Sequence, residues 1–172
     1  MTAAEPNPGV AESSPGEVNV PGGVEVDAVL ADSAVAAEGK LYLQGGAWNI
    51  LSAPVLPLRV PRIGLAIAIR VPWTATNEPH VFDVRLQDAD GKVHPLGDAP
   101  PEMETDDGMI HHIETTFTVG RPPLLQPGDD QIVPIAINVD GLVFESAGRY
   151  EFVIAVDGGD VKHLPLRVIQ VT

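Results

Sequence analysis

The sequence predicts an all-β fold, built as a two-sheet antiparallel sandwich of about eight strands. Apolar residues alternate with polar or small ones in short runs, most clearly over residues 63–71, 133–139 and 150–156. Side chains of a strand alternate between its two faces, so each run presents one apolar stripe. Such stripes leave water only by stacking on one another, which requires two layers. Seventeen Gly and 17 Pro supply turns between the runs and disfavour long helices.

Composition limits the partners and the chemistry of the chain. Ten basic residues against 24 acidic ones give a net charge of -14, so nucleic acid and anionic membranes are not expected as partners. The expected partner is another protein or a second copy of the chain. The absence of cysteine excludes disulfides and thiol catalysis and fits a cytoplasmic location.

We divide the chain into a tail and one domain. Residues 1–23 contain four prolines, three glutamates and no basic or aromatic residue, which predicts a disordered acidic tail without the features of a signal peptide. Residues 24–172 are predicted to form a single β-sandwich domain, in which aliphatic side chains fill the core because only 5% of residues are aromatic.

The predicted strands follow one another between turn residues. Gly45 and Gly46 interrupt the second strand and indicate a bulge or a close backbone approach, and we expect Trp48 beside them to be largely buried. Pro134 lacks a ladder donor, which favours an edge position or a bulge for its strand. The strands are expected over 24–36, 40–51, 62–71, 80–88, 92–96, 111–119, 131–139, 148–156 and 161–171.

Two segments resemble known folds. The ending ESAGRYEFVIAVDGGDVKHLPLRV resembles the last hairpin of immunoglobulin-like sandwiches, where Tyr150 would pack at a corner between the sheets; a jelly-roll-like order remains open. LADSAVAAEGKLYLQGGAWNIL, with RLQDADG and AGRYEF further on, resembles an uncharacterised family of small bacterial β-rich proteins, a domain of unknown function. That resemblance spans roughly residues 26–170, implies one compact domain and implies no activity.

One strand has an unusual second face. Arg62, Gly64, Ala66, Ala68 and Arg70 alternate with its apolar stripe and form a smooth surface with a cation at each end. Small side chains permit close approach of another surface. Either a loop or the tail of the same chain covers this face, or it is an oligomer or partner contact.

The candidate metal ligands lie around a pair of histidines. His112 and Glu114 share a strand face, His111 points the other way, and Glu104, Asp106 and Asp107 precede them in an acidic loop. Imidazole and carboxylate together could hold Zn²⁺, Mn²⁺ or Fe²⁺, whereas the competing interpretation is a solvent-facing pair and a histidine at a strand entrance. The sequence DADG at residues 88–91 resembles the start of a calcium loop but lacks its final ligand, and a hairpin turn explains it.

The leading functional hypothesis is a non-catalytic module that acts through protein–protein contacts, without a cofactor. No G-x-S-x-G, G-x-G-x-x-G or P-loop motif occurs. A metal-binding or metal-dependent sandwich that uses His112, Glu114 and loop carboxylates, with a transition metal or Ca²⁺, is the second hypothesis. The third is a small-ligand or carbohydrate-binding module, for which Trp73 is the candidate contact.

Overall fold

A computed structural model describes residues 23–171, and this part of the chain is all-β as predicted. Its only helical turn is a short 3₁₀ turn at Trp73–Ala75, and no helix in it is long and apolar enough to cross a membrane. The predicted disorder of the tail concerns residues outside this part, except for Gly23. The strands are β1 Glu25–Ala31, β2 Ser33–Ala37, β3 Lys40–Gln44, β4 Ile50–Ala53, β5 Leu58–Val71, β6 Pro79–Asp88, β7 Val93–His94, β8 Gly97–Asp98, β9 Met109–Ile110, β10 His112–Thr118, β11 Gln131–Phe144, β12 Gly148–Val156 and β13 Gly159–Gln170.

The strands form two larger sheets and two small hairpins. One sheet has the order β1-β5-β11, and the other has the order β10-β6-β12-β13-β4 with β7 paired to β6. All pairs are antiparallel except β13 with β4, which is parallel. The strands of the hairpins β2–β3 and β8–β9 pair only with each other and belong to neither of these sheets.

One hydrophobic core joins the two larger sheets. The stripe predicted on β5 is fully buried, with Leu65 and Ile67 at 0% exposure, and the alternating residues of β6 and β12 meet it. Each fully buried aliphatic side chain contributes about 1.5–3 kcal/mol relative to its exposed state. The inward alternation that the sequence predicts is therefore confirmed.

Two predicted strands are each divided in the structure. The chain leaves β1 at Asp32, whose backbone N–H donates to the Gln44 and Gly45 carbonyls, and the Ala47 N–H donates to the Leu30 carbonyl at 2.9 Å. These bonds fold β2 and β3 back as a separate hairpin. The close approach predicted at the glycine pair is present, because a Cβ on Gly45 would lie 2.0 Å from Asp32 Oδ2.

The prediction that Trp48 is largely buried is wrong. Trp48 is half-buried, and its indole Nε1 donates to Asp32 Oδ1 at 3.1 Å. The indole N–H needs a hydrogen-bond acceptor, and the exposed turn at Asp32 provides one where the core does not.

Tyr150 is buried between the two larger sheets, where the sequence predicts it to pack. It is 6% exposed, its ring packs edge-on against Phe144 and His94, and its hydroxyl donates to the Ser146 carbonyl at 2.9 Å. A tyrosine hydroxyl bonded to the backbone a few residues upstream is typical of a corner in immunoglobulin-like domains.

Candidate interaction surfaces

The small-residue stripe of β5 is covered at one end by the chain itself. Gly64 and Ala66 are buried, and a Cβ on Gly64 would lie 2.8 Å from the backbone of Ser33 in β2. Asn138 of β11 holds the hairpin there, since its Oδ1 accepts from the Ala34 N–H at 3.0 Å and its Nδ2 donates to the Ala34 carbonyl at 2.9 Å. Intramolecular cover therefore explains the lack of larger side chains at this end.

The two arginines of the stripe are engaged by carboxylates of the same chain. Arg62 donates to both oxygens of Asp140, at 2.6 and 3.0 Å, and this hydrogen bond raises the pKa of Arg62 and lowers the pKa of Asp140. Arg70 lies 3.4 Å from Glu25 and 3.5 Å from Asp130. Both arginines remain about half exposed, so each pair contributes little to stability.

Beyond the hairpin, the outer face of the three-stranded sheet carries accessible apolar side chains beside charged ones such as Asp27. Ala68 is half-buried, while Val29 on β1 and Ile132 on β11 are 37% and 59% exposed. Their registers, Val29 opposite Ala66 and Ile132 opposite Arg70, put them on the same face as the stripe. The exposed Tyr42 of the hairpin adds to the accessible apolar area.

The outer face of the other larger sheet carries charged and polar side chains that form hydrogen bonds and ion pairs with one another. Arg85 donates to both oxygens of Asp160 at 2.9 and 2.7 Å and lies 3.5 Å from Asp83. Gln87 donates to Glu151 at 2.7 Å, and Glu151 lies 3.2 Å from His163. The exposed apolar residues of this face, Ile50 and Val81, lie at its margins.

The predicted metal ligands form separate pairs. His112 Nδ1 bonds to Asp83 Oδ2 at 2.9 Å, and His111 Nε2 bonds to Asp107 Oδ2 at 2.8 Å, which lowers the pKa of Asp107. Glu114, Glu104 and Asp106 are exposed. Within residues 23–171, no three His, Asp or Glu side chains converge in a way that could hold a metal ion.

The remaining sequence candidates have structural partners. Asp88 Oδ1 accepts from the Asp90 and Lys92 N–H groups, each at 3.0 Å, and Oδ2 bonds to His94 Nε2 at 2.8 Å. These are the bonds of a hairpin turn, and the His94 bond is the main cause of the lowered pKa of Asp88. The ring of Trp73 is half-buried and lies under the Arg121 guanidinium at 4.4 Å, so a sugar ring would compete with that cation.

His80 is a buried titratable group that the sequence did not single out. Its Nδ1 bonds to Asp157 Oδ2 and its Nε2 to the Ala75 carbonyl, both at 2.8 Å. Carboxylate and carbonyl oxygens only accept, so both contacts are hydrogen bonds when the ring is protonated at both nitrogens and positively charged. Burial opposes this charge, but the Asp157 and Ala75 hydrogen bonds, with the charges of Asp157 and Glu78, together raise the pKa of His80.

The two larger sheets face each other across the core, and the core is covered more completely along one pair of their edges than along the other. On one side β1 and β13 meet, and their inward residues Val26, Leu30, Leu164 and Leu166 are buried. On the other side β10 and β11 are both edge strands. Their inward residues are only partly buried; we call these residues the open flank: Ile113, Phe117, Val133, Ile135 and Ile137.

Sequence alternation could not find the open flank. Val133, Ile135 and Ile137 have the same pattern as the fully buried Ile69, Ile67 and Leu65, to which they are paired in register. The pattern shows which way a side chain points, whereas its exposure depends on whether another strand lies beside it. The nearest signal was Pro134, and the edge position that it favoured is confirmed.

Comparisons with known proteins give one clear match. The model of a family described as "Family of unknown function (DUF6941)" matches residues 26–169. No curated protein matches. Among solved structures, the alkylpurine DNA glycosylase AlkC of Pseudomonas fluorescens, bound to DNA containing an abasic site analog, is similar at 10% identity and a TM-score of 0.40. The alignment covers 86% of this chain and 30% of that one, and a likeness this weak carries no argument.

Proposed function

Because this chain belongs to the Family of unknown function (DUF6941), its function has to be argued from its own geometry, and we propose that it is a non-catalytic module that acts through protein–protein contacts. The observation that carries this proposal is the exposure of β11. Ile132 is exposed on its outer face, and Val133, Ile135 and Ile137 are partly exposed on its inner face. Accessible apolar side chains clustered along one edge strand are typical of interaction sites on folded domains.

A binding role also agrees with how the histidines are used. His80, His94, His111, His112 and His163 each have a ring nitrogen within hydrogen-bond distance of a carboxylate of the same chain. Such pairs join strands and turns, and their carboxylates already have a partner. The proposal therefore assigns these side chains to stability rather than to catalysis.

The finer fold assignment belongs to the same proposal. The shared core of the two larger sheets and the Tyr150 bond to Ser146 support a two-sheet immunoglobulin-like sandwich. A cytoplasmic location is proposed because a chain without cysteine needs no oxidising compartment.

Site-specific cross-linking tests the proposed surface. A photo-reactive amino acid replaces Ile132 and, in a matched control, the exposed Arg167 of β13. Each full-length variant is irradiated in a lysate of the source cells at equal concentration. We expect one dominant cross-linked protein from position 132, and its removal by excess unlabelled wild-type chain.

One result would contradict the proposal, and another would identify the partner. Equal cross-linking from positions 132 and 167 would mean that contact is non-specific. A sole product of twice the chain mass would show that the partner is a second copy, which sedimentation of the purified protein would confirm.

A further inference from the structure

We infer that the open flank takes up an extended segment of a partner protein, which adds as a strand to the free edge of β11 and is rich in alternating aliphatic and basic residues. This inference rests on the proposed function and deepens it by naming the binding mode and the chemistry of the partner. Strand addition combines backbone hydrogen bonds for affinity with pockets for every second side chain.

The backbone of β11 has hydrogen-bonding capacity to spare. Within residues 23–171, β11 pairs with β5 along one side and with no strand along the other. The hairpin strand β8 approaches it around residues 140–143 without pairing, which leaves residues 131–139 as the free edge. The opposite edge of the sheet is less accessible, because Ala47 bonds to Leu30 of β1.

Pro134 determines which groups of this edge can bond. Backbone groups of successive residues in an antiparallel strand point to opposite sides. Proline in an edge strand directs its missing donor to the free side. The N–H groups of Ile132, Ala136 and Asn138, which lie two or four residues from Pro134, point to that side as well. The edge thus offers donors at these three residues, with a gap at Pro134 that limits the registers a partner can adopt.

The side chains of the open flank identify the apolar half of the partner. Ile135 and Ile137 pack on the core but stay partly exposed, as do Ile113 and Phe117 on β10. A strand beside β11 would direct alternate side chains into this gap. Aliphatic residues there would complete the burial that already exists on the β1 and β13 side.

The charges near the open flank indicate that the remaining residues of the partner segment are basic. Asp129, directly before β11, is exposed, and no ion pair engages it among the residues that the structure describes. Asp130 already neutralises part of Arg70. The chain as a whole carries -14, which repels a second copy and attracts a basic segment.

The test uses full-length protein and a defined probe, the peptide acetyl-KVKVKVK-amide. Binding is measured by fluorescence anisotropy, and its location by shifts of backbone amide signals. Two control peptides are acetyl-EVEVEVE-amide and the lysine peptide with alternate amides N-methylated. Two protein variants are Ala136→Pro, which removes one edge donor, and its matched control Ala136→Ser, which keeps it.

We expect the lysine peptide to shift signals of residues 131–139 and 112–118. Its affinity should fall at least tenfold on N-methylation, on exchange of Lys for Glu, and in Ala136→Pro, but not in Ala136→Ser. The N-methylated peptide tests strand pairing on unaltered protein by removing the peptide's own donors, so a folding defect of Ala136→Pro does not decide the result.

Failure of strand addition and failure of the proposed function give different results. Undiminished binding of the N-methylated peptide, or shifts outside the open flank, overturns strand addition while specific cross-linking at position 132 would keep the binding module. Equal affinity for the glutamate and lysine peptides would overturn the inference that the partner segment is basic. If the purified chain forms a dimer and Ala136→Pro dissociates it, the occupant of the open flank is a second copy. That result would also overturn the inference of a basic partner segment.

Discussion

His80 is a buried titratable residue whose protonation affects the contact between two distant parts of the chain. Its ring connects the start of β6 to Asp157 in the turn between β12 and β13, and Asp157 Oδ1 also accepts from the Val81 N–H at 2.9 Å. Asp157 holds this position in a left-handed conformation, with φ of 52°. Deprotonation of the ring would leave two acceptors facing one another at one of its nitrogens.

The stability of the protein should therefore decline as pH rises above the unfolded-state pKa of His80. The folded-state pKa of His80 is raised, so its contribution is complete below the unfolded-state pKa of about 6.5 and is lost as pH rises through the folded pKa. The free energy of unfolding, measured with urea, should fall over that window. Asp157→Asn should flatten the decline, whereas His163→Gln, at an exposed pair, should leave it unchanged; an unaltered slope in Asp157→Asn would refute this role.

At the scale of elements, the β2–β3 hairpin depends on the absence of a side chain at Gly64. A Cβ there would lie 2.8 Å from two backbone atoms of Ser33, which can move only with the hairpin. We expect Gly64→Ala to cost about 1–3 kcal/mol, the range for overpacking. In the matched control Gly120→Ala the new Cβ meets nothing within 4 Å, and its cost should stay within about 0.5 kcal/mol. Equal urea midpoints for the two variants would contradict the close contact.

The hairpin also shows how far sequence patterns reach. Alternation predicted the inward stripe of β5, and the small residues opposite it correctly indicated a close approach. What approaches is decided by Asn138, which is 104 residues away from Ala34 in the chain. No local pattern contains such a contact. For the same reason the division of the first predicted strand at Asp32 was missed, since it depends on bonds to Gln44 and Gly45.

For the predicted site residues as well, the local pattern predicted which way a side chain points but not which partner it meets. Local alternation placed His111 and His112 on opposite faces of their strand, and the structure pairs them with different carboxylates, Asp107 and Asp83. Asp83 lies 29 residues before His112 and was not among the expected ligands. Partners in a β-sheet come from distant strands, so the sequence could propose the residue types of a site but not its members.

For the whole molecule, the difference between its two sides predicts a gradient of local stability. The central strands β5, β6 and β12 are paired on both sides and carry the fully buried residues, whereas β10 and β11 are paired on one side and border the open flank. Local opening costs least where few buried contacts and few backbone bonds are lost.

Amide hydrogen exchange followed by mass spectrometry measures this gradient. Peptides that cover residues 112–118 and 131–139 should exchange well before those that cover residues 62–71, 80–88 and 150–156, in protein at a pH where all strands are folded. The β1 and β13 side provides the internal control, because β1 is also an edge strand but its larger inward residues Val26 and Leu30 are buried. Protection of β1 close to that of β5 would assign the effect to the open flank rather than to edge position alone. Exchange of β11 as slow as that of β5 would show that its edge is already satisfied and would remove the physical basis for strand addition.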